Sequence, residues 1–193
     1  MTHALIAIDP ALRRTGVCVY RIGKDERAEL RLARSDTHKR DRYGDLRALI
    51  ADALGEARWF AVLERPTPRG GGLPPTAAFH DWRAWLQDSA RTRAADAGER
   101  YRKPMILTPT ASQWRGPLGL ATRAPRGLGG AHDDSRAHLK GQAVRYARII
   151  TGGEYDTDTA EAVCMALWAL RLVQAGGVAP KKGGGFEPIR YVA

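Results

Sequence analysis

Asp9 closes the apolar run Ala4-Leu5-Ile6-Ala7-Ile8, and Glu64 closes a second one, Trp59-Phe60-Ala61-Val62-Leu63. Runs of this composition read as strands buried on both faces, where a terminal charge is costly unless it is solvated, paired or bound to a metal. A third acidic group, Asp158 and Glu161, stands at the head of a helical pattern, and a spacing of three puts both on one face a turn apart. Converging carboxylates are hard oxygen ligands, the donor type that Mg²⁺ prefers. Each piece also has a plain reading. Asp9 can simply start the turn that Pro10 forces, and acids at a helix N-terminus are favoured by the macrodipole. Glu154 and Asp156 crowd the same turn, but Asp156 lies two residues before Asp158, a rotation of about 200° on a helix.

The elements that must position these acids follow from periodicity. Residues 3–9, 16–22 and 27–34 read as three strands in hairpin succession, and Arg13-Arg14-Thr15-Gly16 contains the first turn. Residues 41–57 carry Leu46, Leu49, Ile50, Ala53, Leu54 and Ala57 at helical spacing, and residues 59–64 form the fourth strand. The Gly- and Pro-rich stretch 65–75 is a loop. A long helix follows over 76–97, with Phe79, Trp82, Trp85 and Leu86 in its stripe. Residues 104–108 are a fifth strand, "TASQWRG" a short capped turn, and 121–134 a second flexible, basic loop. Residues 135–150 and 157–174 are helices, and the glycine-rich tail is expected to be mobile to about Gly185. The plan is α/β, with a mixed five-stranded sheet flanked by helices. Strands one and four, joined through a helix, are expected to run parallel and to bring Asp9 and Glu64 to one edge. Residues 1–175 form one domain, and 176–193 a basic tail.

Composition narrows the partners. In 193 residues, 31 Lys and Arg against 21 Asp and Glu leave a net charge of +10, which favours a polyanion, nucleic acid first. A GC-rich genome that inflates Arg, as it does Ala and Gly, is the competing source of that charge. No apolar run reaches membrane-spanning length, and the N-terminus has the pattern of neither a signal nor a transit peptide. Cys18 and Cys164 lack zinc-type spacing and sit in apolar contexts, which fits a reducing cytoplasm.

The segments Ile8-Asp9-Pro10 with Thr15-Gly16, Leu63-Glu64, and Asp158-Thr159-Ala160-Glu161-Ala162 together resemble the RuvC-type Holliday junction resolvases of the ribonuclease H-like superfamily. The resemblance spans residues 4 to 170 and is nearest to the bacteriophage-encoded branch. It implies a ribonuclease H-like fold and a catalytic and metal-binding set of Asp9, Glu64, Asp158 and Glu161. Two weaker likenesses lie between these motifs. "ASQWRG" resembles the family segment that carries a basic residue, here Arg115, and "HLKGQAVRYARII" the helix that carries a Lys near the scissile phosphate, here Lys140. An ordinary exposed helix lysine is the alternative for Lys140. Ala11 replaces the usual glycine after Asp-Pro. The stretch after Glu64 lacks the aromatic or apolar residues that intrude at the junction centre in bacterial members.

Two divalent ions in one site activate water, stabilise the leaving oxygen and neutralise phosphate charge. The expected cofactor is therefore Mg²⁺, two ions per site with Mn²⁺ as a substitute, and Asp9 as the ligand shared by both. The expected partner is branched DNA, a four-way junction first and flaps or forks next. Arg13, Arg14, Arg65, Arg69, Arg115, Arg123, Arg126 and Lys140 are the candidate DNA contacts. The resemblance implies a homodimer in a bacterial host's cytoplasm. The Trp82, Trp85 and Leu86 stripe is a candidate interface, with core packing as the alternative. Two further readings stand beside a DNA endonuclease: an RNA-processing ribonuclease H-like nuclease, and a junction-binding protein whose acids are structural. A sugar-kinase or actin-like ATPase also begins with an acid and glycines, but the further nucleotide-binding glycine motifs it needs are not seen.

Overall fold

Alternation along one central strand organises the protein. In a computed structural model, residues 3–10, 14–22, 28–34, 43–66, 73–123, 132–176, 178–180 and 186–188 are described. Strand β1 (His3–Asp9) pairs antiparallel with β2 (Gly16–Ile22), which pairs antiparallel with β3 (Ala28–Arg34). On its other side β1 runs parallel to β4 (Arg58–Leu63), which runs parallel to β5 (Ile106–Leu107). The sheet is five-stranded and mixed, in the order β3-β2-β1-β4-β5. The helix α1 (Tyr43–Leu54) joins β3 to β4, and α2 (Leu73–Asp96) precedes β5. After β5 come the short α3 (Ala111–Arg115) with a 3₁₀ turn at Gly116–Leu118, then α4 (His132–Thr151) and α5 (Thr157–Gln174).

Because successive strand residues point to opposite faces, β1 feeds two cores. Ala4, Ile6 and Ile8, with Val17, Val19, Ala61 and Leu63, pack under α1 and α2. Leu5 and Ala7, with Cys18, Phe60 and Val62, pack under α3, α4 and α5. Asp9 continues the Leu5–Ala7 row and Glu64 the Phe60–Val62 row, so both acids belong to the face covered by α5. The pairing persists to the end of the strands: Ile8 lies opposite Leu63, and the Glu64 amide donates to the Ile8 carbonyl at 3.1 Å.

Several expectations are corrected. The helix after the glycine-rich stretch starts at Leu73, with Pro74 and Pro75 in a first turn that needs no intrahelical N–H. Trp82 and Leu86 are fully buried and Trp85 partly so; with Phe79 they fill the core between α2 and the sheet. Core packing therefore accounts for the aromatic stripe proposed as a dimer interface. Trp82 meets Tyr43 and Trp85 edge to face, and the Arg47 guanidinium lies 5.4 Å from the Trp82 ring. The tail, expected to be mobile, carries β6 (Val178–Pro180) and β7 (Phe186–Pro188), paired antiparallel. Among the described residues no helix is long and apolar enough to cross a membrane. Cys18 and Cys164 are buried free thiols, and burial pushes both upward, Cys164 to about 12, which leaves them unreactive.

Candidate active site

The N-terminus of α5 is seated against the ends of β1 and β2. Asp156 caps it, accepting from the Thr159 amide at 2.8 Å, which satisfies one of the orphan donors of the first turn. That cap sets the register: Asp158 and Glu161 face the sheet edge, where carboxylate oxygens of Asp9, Asp158 and Glu161 all lie within 4.8 Å of one another. Three of the four expected acids thus converge. Glu64 stands beside them and acts on Asp9 through its charge, but it is not part of the 4.8 Å group. Its Oε2 accepts instead from the indole N–H of the fully buried Trp114, at 2.8 Å.

The electrostatics follow from placing so many acids out of water. Burial, and then the charges of Glu161, Glu64 and Asp158, hold the Asp9 carboxyl well above its usual range, while Lys140 acts against the rise. Burial and Glu161 push Glu64 up to about 7, opposed by the Trp114 hydrogen bond and by Arg115 and Lys140. Lys140 reaches into the cluster: its Nζ donates to Asp158 Oδ1 and lies 3.4 Å from Glu161 Oε2. Burial alone would lower this ammonium, but Glu161, the hydrogen bond to Asp158 and the Asp9 charge raise it. Lys140 is therefore part of the acidic site, not an ordinary exposed helix lysine.

Arg115 corrects the expectation of a DNA contact. It is only 2 % exposed, and all three guanidinium nitrogens are engaged. Nη1 pairs with Glu161 Oε1 at 2.7 Å, Nε donates to Ala121 O at 3.1 Å, and Nη2 donates to Leu139 O. The guanidinium also lies 4.9 Å from the Trp114 ring. The two neighbours therefore divide the glutamates, Trp114 holding Glu64 and Arg115 holding Glu161. Trp114 is the residue that sequence reasoning missed; its only signal was its place beside Arg115 in "ASQWRG". The capping box around Thr110 and Gln113 fixes the short helix that carries both.

Of the remaining basic candidates, Arg14 is part-exposed and bridges Asp156 and Asp158, at 3.8 and 3.7 Å. Arg65 and Arg123 are exposed. Arg13, Arg69 and Arg126 lie outside the described residues.

The donor set bears on metal binding. The clustered ligands are all carboxylates, with neither thiol nor imidazole among them, which suits a hard divalent cation and not zinc. The residues present fit such an ion.

No protein-family model and no curated protein matches this sequence. Solved structures do. RuvC of Thermus thermophilus matches with a TM-score of 0.52 at 14% identity, covering 96% of this chain and 99% of that one. The T. thermophilus RuvC structure in complex with a Holliday junction substrate matches with a TM-score of 0.53 at 13% identity, over the same shares. The yeast mitochondrial Holliday junction resolvase Ydc2 has a TM-score of 0.45 at 11% identity, over 88% of this chain and 82% of that one. The fold is that of RuvC, ribonuclease H-like.

Proposed function

We propose that this protein is a divalent-metal-dependent endonuclease that cleaves branched DNA, four-way junctions above all, as a RuvC-type resolvase. The observation that carries the reading is the convergence of Asp9, Asp158 and Glu161 within 4.8 Å at one sheet edge of a RuvC-like fold. The motifs favour the bacteriophage-encoded branch, acting in the cytoplasm of a bacterial host. A homodimer suits paired cuts across a symmetric junction.

In this reading Asp9, Asp158 and Glu161, with Glu64 beside them, hold two Mg²⁺ ions, for which Mn²⁺ can substitute. Bound there, the ions supply an activated water and neutralise phosphate charge. The chain's own groups do the rest. Trp114 and Arg115 fix the orientation of Glu64 and Glu161, so little freedom remains to be lost when substrate arrives. Lys140 pairs with Asp158 and Glu161 in the free protein and would turn that charge to a scissile phosphate held there. The exposed Arg65 and Arg123 would meet the backbone of the DNA arms, as would Arg69 and Arg126, which follow them in sequence, and Arg13 beside Arg14.

The test is a labelled four-way junction incubated with and without Mg²⁺, beside the Asp9→Asn variant. Paired cuts that need Mg²⁺ and vanish in Asp9→Asn, with junction binding retained, are the expected result. Tight binding with no metal-dependent cutting would favour a junction-binding protein instead. Faster cutting of RNA than of any branched DNA would favour an RNA-processing enzyme.

A further inference from the structure

Gly16 sits between the two halves of the acidic cluster. In the β1–β2 ladder it lies directly opposite Asp9. A Cβ added to it would fall inside 3.0 Å of the carbonyl carbon and oxygen of Asp158, and 2.8 Å from the Thr159 amide nitrogen. Its φ is not positive, so the need for glycine here is spatial and not conformational. Glycine within a strand marks such close approaches of another backbone. The atoms in the way are main chain of α5, which cannot step aside as a flexible side chain would. That amide also donates to the Asp156 cap.

We infer that Gly16 is a positioning residue: the missing side chain lets the head of α5 close onto β2, and so sets how near Asp158 and Glu161 come to Asp9. The inference rests on the metal-binding reading above. Any Cβ at position 16 must move the α5 N-terminus outward, in the direction that separates the clustered carboxylates. Mg²⁺ demands near-ideal octahedral geometry at about 2.0–2.1 Å, whereas Ca²⁺ accepts irregular shells at about 2.3–2.6 Å. A widened cluster therefore penalises Mg²⁺ more than Ca²⁺.

The experiment titrates Mg²⁺ and Ca²⁺ by calorimetry into the wild type, Gly16→Ala and Gly16→Ala/Asp158→Glu, with folding followed by circular dichroism. Gly16→Ala is expected to weaken Mg²⁺ by about tenfold or more, within the range of perturbed metal surroundings, and Ca²⁺ by clearly less. Junction cleavage should fall roughly a hundredfold, the scale of a 1 Å misplacement. The added methylene of Asp158→Glu should recover part of the Mg²⁺ affinity, which a general loss of stability would not allow. Unchanged Mg²⁺ affinity, or equal losses for both ions without rescue, would overturn the inference. If Gly16→Ala does not fold, Asp158→Glu in the wild-type background decides. A helix held at fixed closest approach should lose Mg²⁺ affinity with the longer acid, and unchanged affinity would overturn the spacer role. A wild type that binds neither ion would instead remove the metal reading itself, and the inference with it.

Discussion

The indole N–H of Trp114 donates to Oε2 of Glu64 at 2.8 Å, across fifty residues of sequence, and holds that carboxylate beside the Asp9 cluster. Trp114→Phe removes the donor and part of a fully buried side chain. The loss should be about 1–2 kcal/mol, combining one hydrogen bond with a partly collapsed cavity. Urea denaturation measures it. Cleavage should fall while junction binding without metal stays the same, because the change touches a carboxylate and not the DNA surface.

Lys140→Met keeps the length of the stem and removes the ammonium that Asp158 and Glu161 share. The variant should bind a divalent cation at least as well as the wild type, because an internal competitor for the carboxylates is gone. Cleavage should nevertheless drop by about 10²–10⁴-fold if that ammonium assists the developing charge. Metal titration and single-turnover cleavage, measured together, separate the two effects. Loss of metal affinity would show that Lys140 supports the cluster instead of competing within it.

Proton competition makes a third case. With Glu64 at about 7 and Asp9 well raised, the metal-free folded protein holds protons that the unfolded chain has released. For Glu64 this covers the window from the ordinary Glu range up to about 7, so its contribution to metal-free stability should be lost as pH rises through that window, and the raised Asp9 acts in the same direction. Bound cations displace the same protons, so Mg²⁺ affinity should climb between about pH 6 and pH 8. Thermal unfolding with and without Mg²⁺ across that range is the measurement, and the metal-induced gain in melting temperature should widen with pH.

Asp156→Asn tests the register of the acidic helix. Asparagine caps as well as aspartate, so the bond to the Thr159 amide survives and α5 keeps its start. Arg14 loses its ion pair with Asp156 and keeps the one with Asp158. Cleavage should stay near wild type, whereas Asp158→Asn should be inactive. The reverse pattern in a junction-cleavage assay would mean that the wrong acid of the turn had been chosen.

The last test concerns the exposed Arg123 and its sequence neighbour Arg126. Replacing both by Ala should flatten the log–log salt dependence of junction binding by roughly one to two units, since each phosphate contact contributes about −0.9 to the slope. An unchanged slope would take that loop off the DNA surface. Replacing the buried Arg115 should act differently, destabilising the fold more than altering the slope, because its charge is spent on Glu161.

The amino-acid sequence by itself determined the five strands of the main sheet, most helix spans and the set of candidate acids, three of which converge. Burial on both faces leaves continuous apolar runs at β1 and β4, each closed by an acid, Asp9 and Glu64. Helical spacing likewise joins Asp158 to Glu161. These are local properties, readable wherever a pattern repeats along the chain. Contacts between elements are not local. The register of β1 and β4 is what puts Asp9 and Glu64 on one face. Only the packing of α3 against β4 and α5 decided that Trp114 holds Glu64 and that Arg115 is buried against Glu161. The same packing turned Trp82 and Leu86 into core and brought the Asp158 backbone onto Gly16. An arginine or a tryptophan has the same side chain at a surface as in an interior, and periodicity alone does not select its partner. That choice belongs to the distances between elements, which arise only when both faces of the sheet are covered at once.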